Sequence, residues 1–293
     1  MWILFACLSS VFAGLTAILG KLGVKDTDSD VATAIRTGVV LVLSFAVTCI
    51  TGEIVALTGV SGRSFLFLVL SGIATGASWI CYFKALSLGA VTKVAAVDKS
   101  GVVLTVLSAM LLFPSERENW WIKLICLAFI AAGTYLMLET KKVKEPCEDD
   151  KKTFGWFIFA LLSAVFAAAT SILAKIGIEN VPSNLGTTIR TVVVLIMAWS
   201  IVFGRKKTNL VKSVSKNDLL FLVLSGFATA ASWLCYYYAI SYGQVSIVVP
   251  IDKLSILFTV AFSVIVLKEK VKAKSWIGLS LLVAGTVCMA VFA

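Results

Sequence analysis

Leu70-Ser71-Gly72-Ile73-Ala74-Thr75-Gly76-Ala77-Ser78-Trp79-Ile80-Cys81-Tyr82 returns 154 positions later as Leu224-Ser225-Gly226-Phe227-Ala228-Thr229-Ala230-Ala231-Ser232-Trp233-Leu234-Cys235-Tyr236. The same shift aligns Phe5–Lys99 with Phe159–Lys253, with 43 identities in 95 positions. Polar landmarks coincide too: Lys21 with Lys175, Arg36 with Arg190, and Asp98-Lys99 with Asp252-Lys253. Shared hydrophobicity alone would not align charges in this way, so the chain is one unit used twice.

Composition says what that unit is made for. Of 293 residues, 59% are hydrophobic and 14% charged, with a mean hydropathy of +0.99. Soluble chains carry about 45–50% apolar and about 25% charged residues. A soluble enzyme, a nucleic-acid binder and a disordered tail are therefore excluded as starting points. A helix crosses the hydrocarbon with roughly 20 apolar residues, and each unit offers five such stretches. In the first they are Trp2–Gly20, Val31–Ile50, Phe65–Leu86, Val94–Phe113 and Trp120–Leu138. In the second they are Phe154–Ala174, Leu185–Phe203, Leu219–Ile240, Ile247–Leu267 and Trp276–Ala293. The expected architecture is an all-α integral membrane protein of ten transmembrane helices. Its units are 1–138 and 154–293, joined by the charged linker Glu139–Thr153.

An odd number of spans per unit inserts the second copy upside down. Loop charges test this. Loops after the first, third, fifth, seventh and ninth spans hold 17 Lys and Arg, against 4 in the loops on the other side (Arg63, Arg117, Lys123 and Lys175). Lys and Arg collect on the cytoplasmic side, so the linker is expected there and both termini outside. Equivalent loops have also exchanged character: Thr51-Gly52-Glu53 corresponds to Arg205-Lys206-Lys207. The net charge of +10 is thus a topology signal and not a nucleic-acid patch. Histidine is absent and the seven cysteines show no C-x-x-C spacing. No metal or cofactor site is expected.

Two polar clusters interrupt the apolar spans. Apart from Lys123, counted with the loops at the edge of the fifth span, Arg36, Lys84, Lys99, Arg190 and Lys253 are the basic residues inside them, joined by Asp98 and Asp252. Intramembrane charge is expensive and faces protein or a watery cavity. Two readings stay open. Either these groups bracket a substrate pathway, with an aspartate carrying a coupling proton, or Arg36–Asp98 and Arg190–Asp252 are structural ion pairs. Lysines near span ends can also snorkel to water, and Lys21 and Lys175 read as interfacial anchors. Lys84 faces Tyr238 in the alignment, so it marks either selectivity or the basic side. Trp79, Tyr82 and Phe83, like Trp233, Tyr236 and Tyr237, share one helical face. That face either lines a cavity or packs helices. Pro250, aligned with Ala96, marks either a bend or a helix start.

On Ala6–Ala13, Ala32–Thr37 and Leu70–Trp79 the sequence resembles the EamA family of the drug/metabolite transporter superfamily. Thr187–Thr191, Pro250–Lys253 and Gly285-Thr286 agree with it. The resemblance implies ten helices, a central cavity and movement of a small metabolite, without naming the substrate. The expectation is a secondary transporter of the bacterial inner membrane handling a small organic, amino-acid-like or anionic compound by alternating access. A homodimer is left open. The alternatives are a sugar-nucleotide or phosphate-metabolite carrier, and a non-transporting scaffold or receptor. A membrane enzyme fits least, because no acid–base or metal cluster is visible.

Overall fold

The computed structural model describes residues 1–23, 27–88, 94, 97–98, 100–138, 153–265 and 273–293. The linker expected at 139–153 therefore lies outside the described residues, apart from its last position, as does Lys99. Among the described residues the secondary structure is helical throughout. The first unit contributes α1 (Trp2–Gly23), α2 (Ser29–Ile50), α3 (Gly62–Leu88), α4 (Gly101–Leu112) and α5 (Trp120–Leu138). The second contributes α6 (Thr153–Gly177), α7 (Ser183–Gly204), α8 (Lys216–Tyr242), α9 (Val245–Lys253), α10 (Ser255–Ile265) and α11 (Ala273–Phe292). Nine stretches among them are long and apolar enough to cross a membrane, with Gly101–Leu112 as a shorter tenth. Side chains such as Val42, Leu111 and Ile196 point outward, as lipid-facing groups should.

The fourth span of each unit differs from its expectation. It is not one continuous helix. In the second copy α9 ends at Lys253 and α10 resumes at Ser255. Leu254 N–H donates to Ile251 O at 3.0 Å, and its counterpart Ser100 N–H donates to Val97 O at 3.1 Å. Both copies thus tighten to an i→i+3 turn at one aligned position. Pro250 lies inside α9, not at its start. It removes one donor from the helix ladder. Proline is not required for the break, because the first copy turns at the same place with Ala96 aligned to it.

Inversion is visible in the contacts. At the start of α2, Asp28 and Asp30 meet Lys207, which follows α7, at 2.7 and 2.6 Å. At the opposite end Glu53, which follows α2, accepts from Asn184 Nδ2 at the start of α7 at 2.7 Å. Helices α2 and α7 are therefore antiparallel. Under the 154-residue shift Glu53 becomes Lys207 and Asn184 becomes Asp30, so these contacts are two views of one pseudo-symmetric pair. The swapped α1·α8 and α3·α6 pairs pack most extensively, followed by the self-related α5·α11 and α2·α7 pairs.

Small residues let these backbones approach. A Cβ on Gly72 would stand 2.7 Å from Val193 Cβ and 2.9 Å from Arg190 O. Its copy Gly226 would meet Val39 Cβ at 2.7 Å, and Gly133 would meet Gly278 O at 2.5 Å. The serines just before Gly72 and Gly226 tie α3 and α8 to other neighbours, α6 and α1. Ser71 Oγ donates to Thr170 O at 2.8 Å and its copy Ser225 to Thr16 O at 3.0 Å. The stripe is a packing surface.

Candidate functional site

A cavity of about 300 Å³ lies where the two units meet. Its walls bring α3 (Thr75, Trp79), α7 (Arg190), α8 (Trp233, Tyr236, Tyr237) and the end of α9 (Asp252, Lys253) to one place. Helices broken beside a cavity are how membrane proteins expose backbone and charge to a ligand. Both breaks fall beside the aspartates. Asp252 Oδ1 accepts from Ser9 Oγ at 2.7 Å, and Asp98 Oδ1 accepts from Ser163 Oγ at 2.8 Å. These bonds are again symmetry mates, each tying the first helix of one unit to the broken span of the other.

Arg190 is 1% exposed. Its Nη2 donates to Thr75 Oγ1 at 2.9 Å. Its guanidinium carbon lies 4.1 Å from the Tyr237 ring centroid and 5.3 Å from that of Trp233. The Nε and Nη1 groups have no hydrogen-bond partner. The structural ion pair Arg190–Asp252 is not formed, because Asp252 takes Ser9 and, at 3.9 Å, Lys253. Among the described residues no ion pair joins Arg36 to Asp98 either. Each arginine is anchored on α2 or α7 while its aspartate sits on a broken span tied to α1 or α6, which separates them.

The two copies place equivalent residues differently. Arg36 is half-buried and lines a cavity of about 250 Å³ with Ser29 and Thr33, at the Asp28 end. A cavity of about 280 Å³ shares Ala13 and Lys253 with the central one and Ala17 with this end cavity. Of the expected aromatics, Trp79, Trp233 and Tyr236 line the central cavity. Tyr82 does not. It packs beside Ala85, Val94 and Ala160, with Trp156 and Phe159 nearby. The Tyr236 hydroxyl is 2.9 Å from Ser171 Oγ. Asp98 lines a smaller cavity of about 90 Å³ that shares Tyr236 and Lys253 with the central one. Lys84 is exposed on α3.

Lys123 and Lys175, read from the sequence as loop or interfacial charges, have other places, and Glu116 joins them. Glu116 is 1% exposed and caps α9, accepting from Val245 N–H at 2.5 Å, from Ser246 N–H at 3.1 Å and from the Ser246 hydroxyl. Lys123 is fully buried and donates to Glu116 O at 2.9 Å and Gln244 Oε1 at 2.6 Å. Lys175 closes the end of α8, donating to Ile240 O at 2.5 Å and Gly243 O at 2.9 Å. With Val245–Ile251 wholly buried, this end of the bundle is sealed.

A duplicated, inverted bundle around a central polar cavity defines the class: a polytopic membrane protein. The EamA-like transporter family model matches residues 1–139 and again 154–291, and the chain belongs to that family of membrane transporters. Among curated relatives, an uncharacterized transporter from the cobO 3′ region of a Sinorhizobium species is 42% identical over 138 residues. That match covers 98% of the relative and 47% of this chain. An uncharacterized protein of Methanocaldococcus jannaschii is 28% identical over 134 residues, 95% of its length and 46% of this chain. Each relative thus has the length of one repeat. A solved crystal structure matches this chain end to end at a TM-score of 0.80, with 14% identity and 98% of that structure covered. That likeness concerns the fold.

Proposed function

We propose that the protein is a secondary transporter that moves a small organic metabolite across the bacterial cytoplasmic membrane by alternating access. One observation carries this reading. Arg36 and Arg190 are the same residue in the two copies, yet Arg190 is 1% exposed and stacked on aromatic rings at the central cavity, while Arg36 is half-buried in a separate cavity at the Asp28 end. In inverted repeats such a difference corresponds to one facing state. Exchanging the two arrangements gives the other. Arg36 would then bond Thr229 and stack on Trp79, the counterparts of Thr75 and Trp233. The basic loops assign the Asp28 end to the cytoplasm and both termini to the outside, which makes the present state inward-facing. A scaffold or receptor would have no use for this asymmetry. A sugar-nucleotide carrier fits less well, because about 300 Å³ is at the small end of ligand pockets.

Flux measurements in proteoliposomes test the proposal. Purified protein should accelerate entry of at least one labelled small metabolite, and Trp79→Ala with Trp233→Ala together should abolish that acceleration. Equal flux in the double variant and the wild type removes the cavity from the pathway.

A further inference from the structure

We infer that the central cavity takes an aromatic monocarboxylate, held by its carboxylate on Arg190 with its ring against the tryptophan walls. This rests on the transporter reading and supplies its substrate class. A guanidinium cannot shed its proton in a protein, so Arg190 is a permanent cation inside a spanning helix. Such a charge needs a counter-anion or a full set of acceptors. It has neither. Thr75 takes one nitrogen, Tyr237 and Trp233 offer ring faces, and Nε and Nη1 have no acceptor. Ring faces compensate a cation in part only.

The carboxylate lining the same cavity does not fill this role. Asp252 accepts from Ser9 and sits beside Lys253. Lys253 and Asp252 offset one another, and Arg190 is left as one uncompensated positive charge among the described cavity residues. A monoanion balances it. A cation would meet Arg190 and find the aspartate already engaged, and a dianionic phosphate would overshoot the charge. Shape narrows the choice further. Trp79, Trp233 and Tyr236 supply flat apolar walls, and about 300 Å³ accommodates one or two rings.

Titration calorimetry on the full chain in lipid nanodiscs tests this with wild-type protein alone, using benzoate, its neutral isostere benzamide, benzylamine, phenyl phosphate and acetate. Benzoate should bind saturably. Benzamide should bind at least about tenfold more weakly for want of the charge-assisted bond. Acetate should be weaker by a similar factor for want of the ring, and benzylamine should not compete. Arg190→Gln, checked for an unchanged size-exclusion profile, should lose benzoate binding, and Arg190→Lys should keep part of it. Should Arg190→Gln fail to fold, Trp79→Ala is the second variant, and it should weaken benzoate without weakening acetate. Benzamide or benzylamine binding as well as benzoate overturns the inference, as does phenyl phosphate binding more tightly, undiminished benzoate binding in folded Arg190→Gln, or no benzoate binding at all. If flux of another compound through the Trp79/Trp233 cavity is found while benzoate fails, the transporter reading stands and this inference alone falls.

Discussion

The Ser9 hydroxyl donates to the Asp252 carboxylate at 2.7 Å, joining the first helix of one repeat to the broken span of the other. Ser163 and Asp98 repeat the bond at 2.8 Å. A hydroxyl-to-carboxylate bond of this kind contributes about 1.5–3 kcal/mol. Ser9→Ala and Ser163→Ala should each lower the thermal unfolding midpoint in detergent. Asp252→Asn, which keeps an acceptor oxygen, should lower it less than Ser9→Ala. An Asp252→Asn midpoint below that of Ser9→Ala would show that the charge matters more than the bond.

The cluster of Asp28, Asp30 and Lys207 makes stability depend on pH at the extremes. Burial pushes the Asp28 carboxyl up, but the Lys207 ammonium and the N–H groups of Asp30 and Val31 outweigh it and hold the pKa below its ordinary value. Burial alone would lower Lys207, yet hydrogen bonds and charge from Asp28 and Asp30 raise it above its ordinary value. The carboxylate contribution is therefore present above the ordinary Asp range and lost as pH falls through the lowered value. The ammonium contribution is present below the ordinary Lys range and lost as pH rises through the raised one. Lys207→Met should destabilise by a constant amount between about pH 5 and 9. The gap between variant and wild type, followed by thermal scans, should close at both ends.

Close helix approach predicts an ordered set of glycine variants. Gly72→Ala and Gly226→Ala place a Cβ 2.7 Å from Val193 Cβ and Val39 Cβ. Each should cost about 1–3 kcal/mol as overpacking. Gly204→Ala, with nothing within 4 Å, should be near neutral. Urea unfolding in mixed micelles ranks the three. A Gly204→Ala variant as damaged as Gly72→Ala contradicts the packing account.

Glu116 holds the N-terminus of α9, a helix that must move if the sealed end is to open. Glu116→Ala leaves two backbone donors unpaired, each costing about 1–3 kcal/mol. Amide exchange across 244–251 in nanodiscs, read by mass spectrometry, should quicken by at least about tenfold. Unchanged exchange would place the seal elsewhere.

Arg36 and Asp98 form no ion pair, so the two sites should behave independently. A double-mutant cycle on Arg36→Gln and Asp98→Asn should be additive to within about 0.5 kcal/mol. A larger coupling would restore the pairing that the sequence left open.

The spans and their inversion were legible because apolar length, repeated landmarks and loop charge are written along the chain. Arg36, Arg190, Asp98 and Asp252 were legible as intramembrane charges. Their partners were not, since Ser9, Ser163 and Thr75 are ordinary small residues that gain meaning only when the units cross. Tyr82 and Tyr236 align perfectly yet face different surroundings, because one conformation holds the two copies in different arrangements. Glu116 and Lys123 gave no signal at all. Their aligned positions carry Lys270 and Ile277, and a loop charge read along the chain carries no sign of being buried.

The exchange of Glu53 for Lys207 and of Asn184 for Asp30 has a consequence for ancestry. Two copies of the first half, assembled head to tail, would set Glu53 against Asp30, and two copies of the second would set Lys207 against Asn184. The first arrangement repels and the second loses its counter-ion. Each half has specialised for one orientation, so what began as interchangeable copies became an obligate couple.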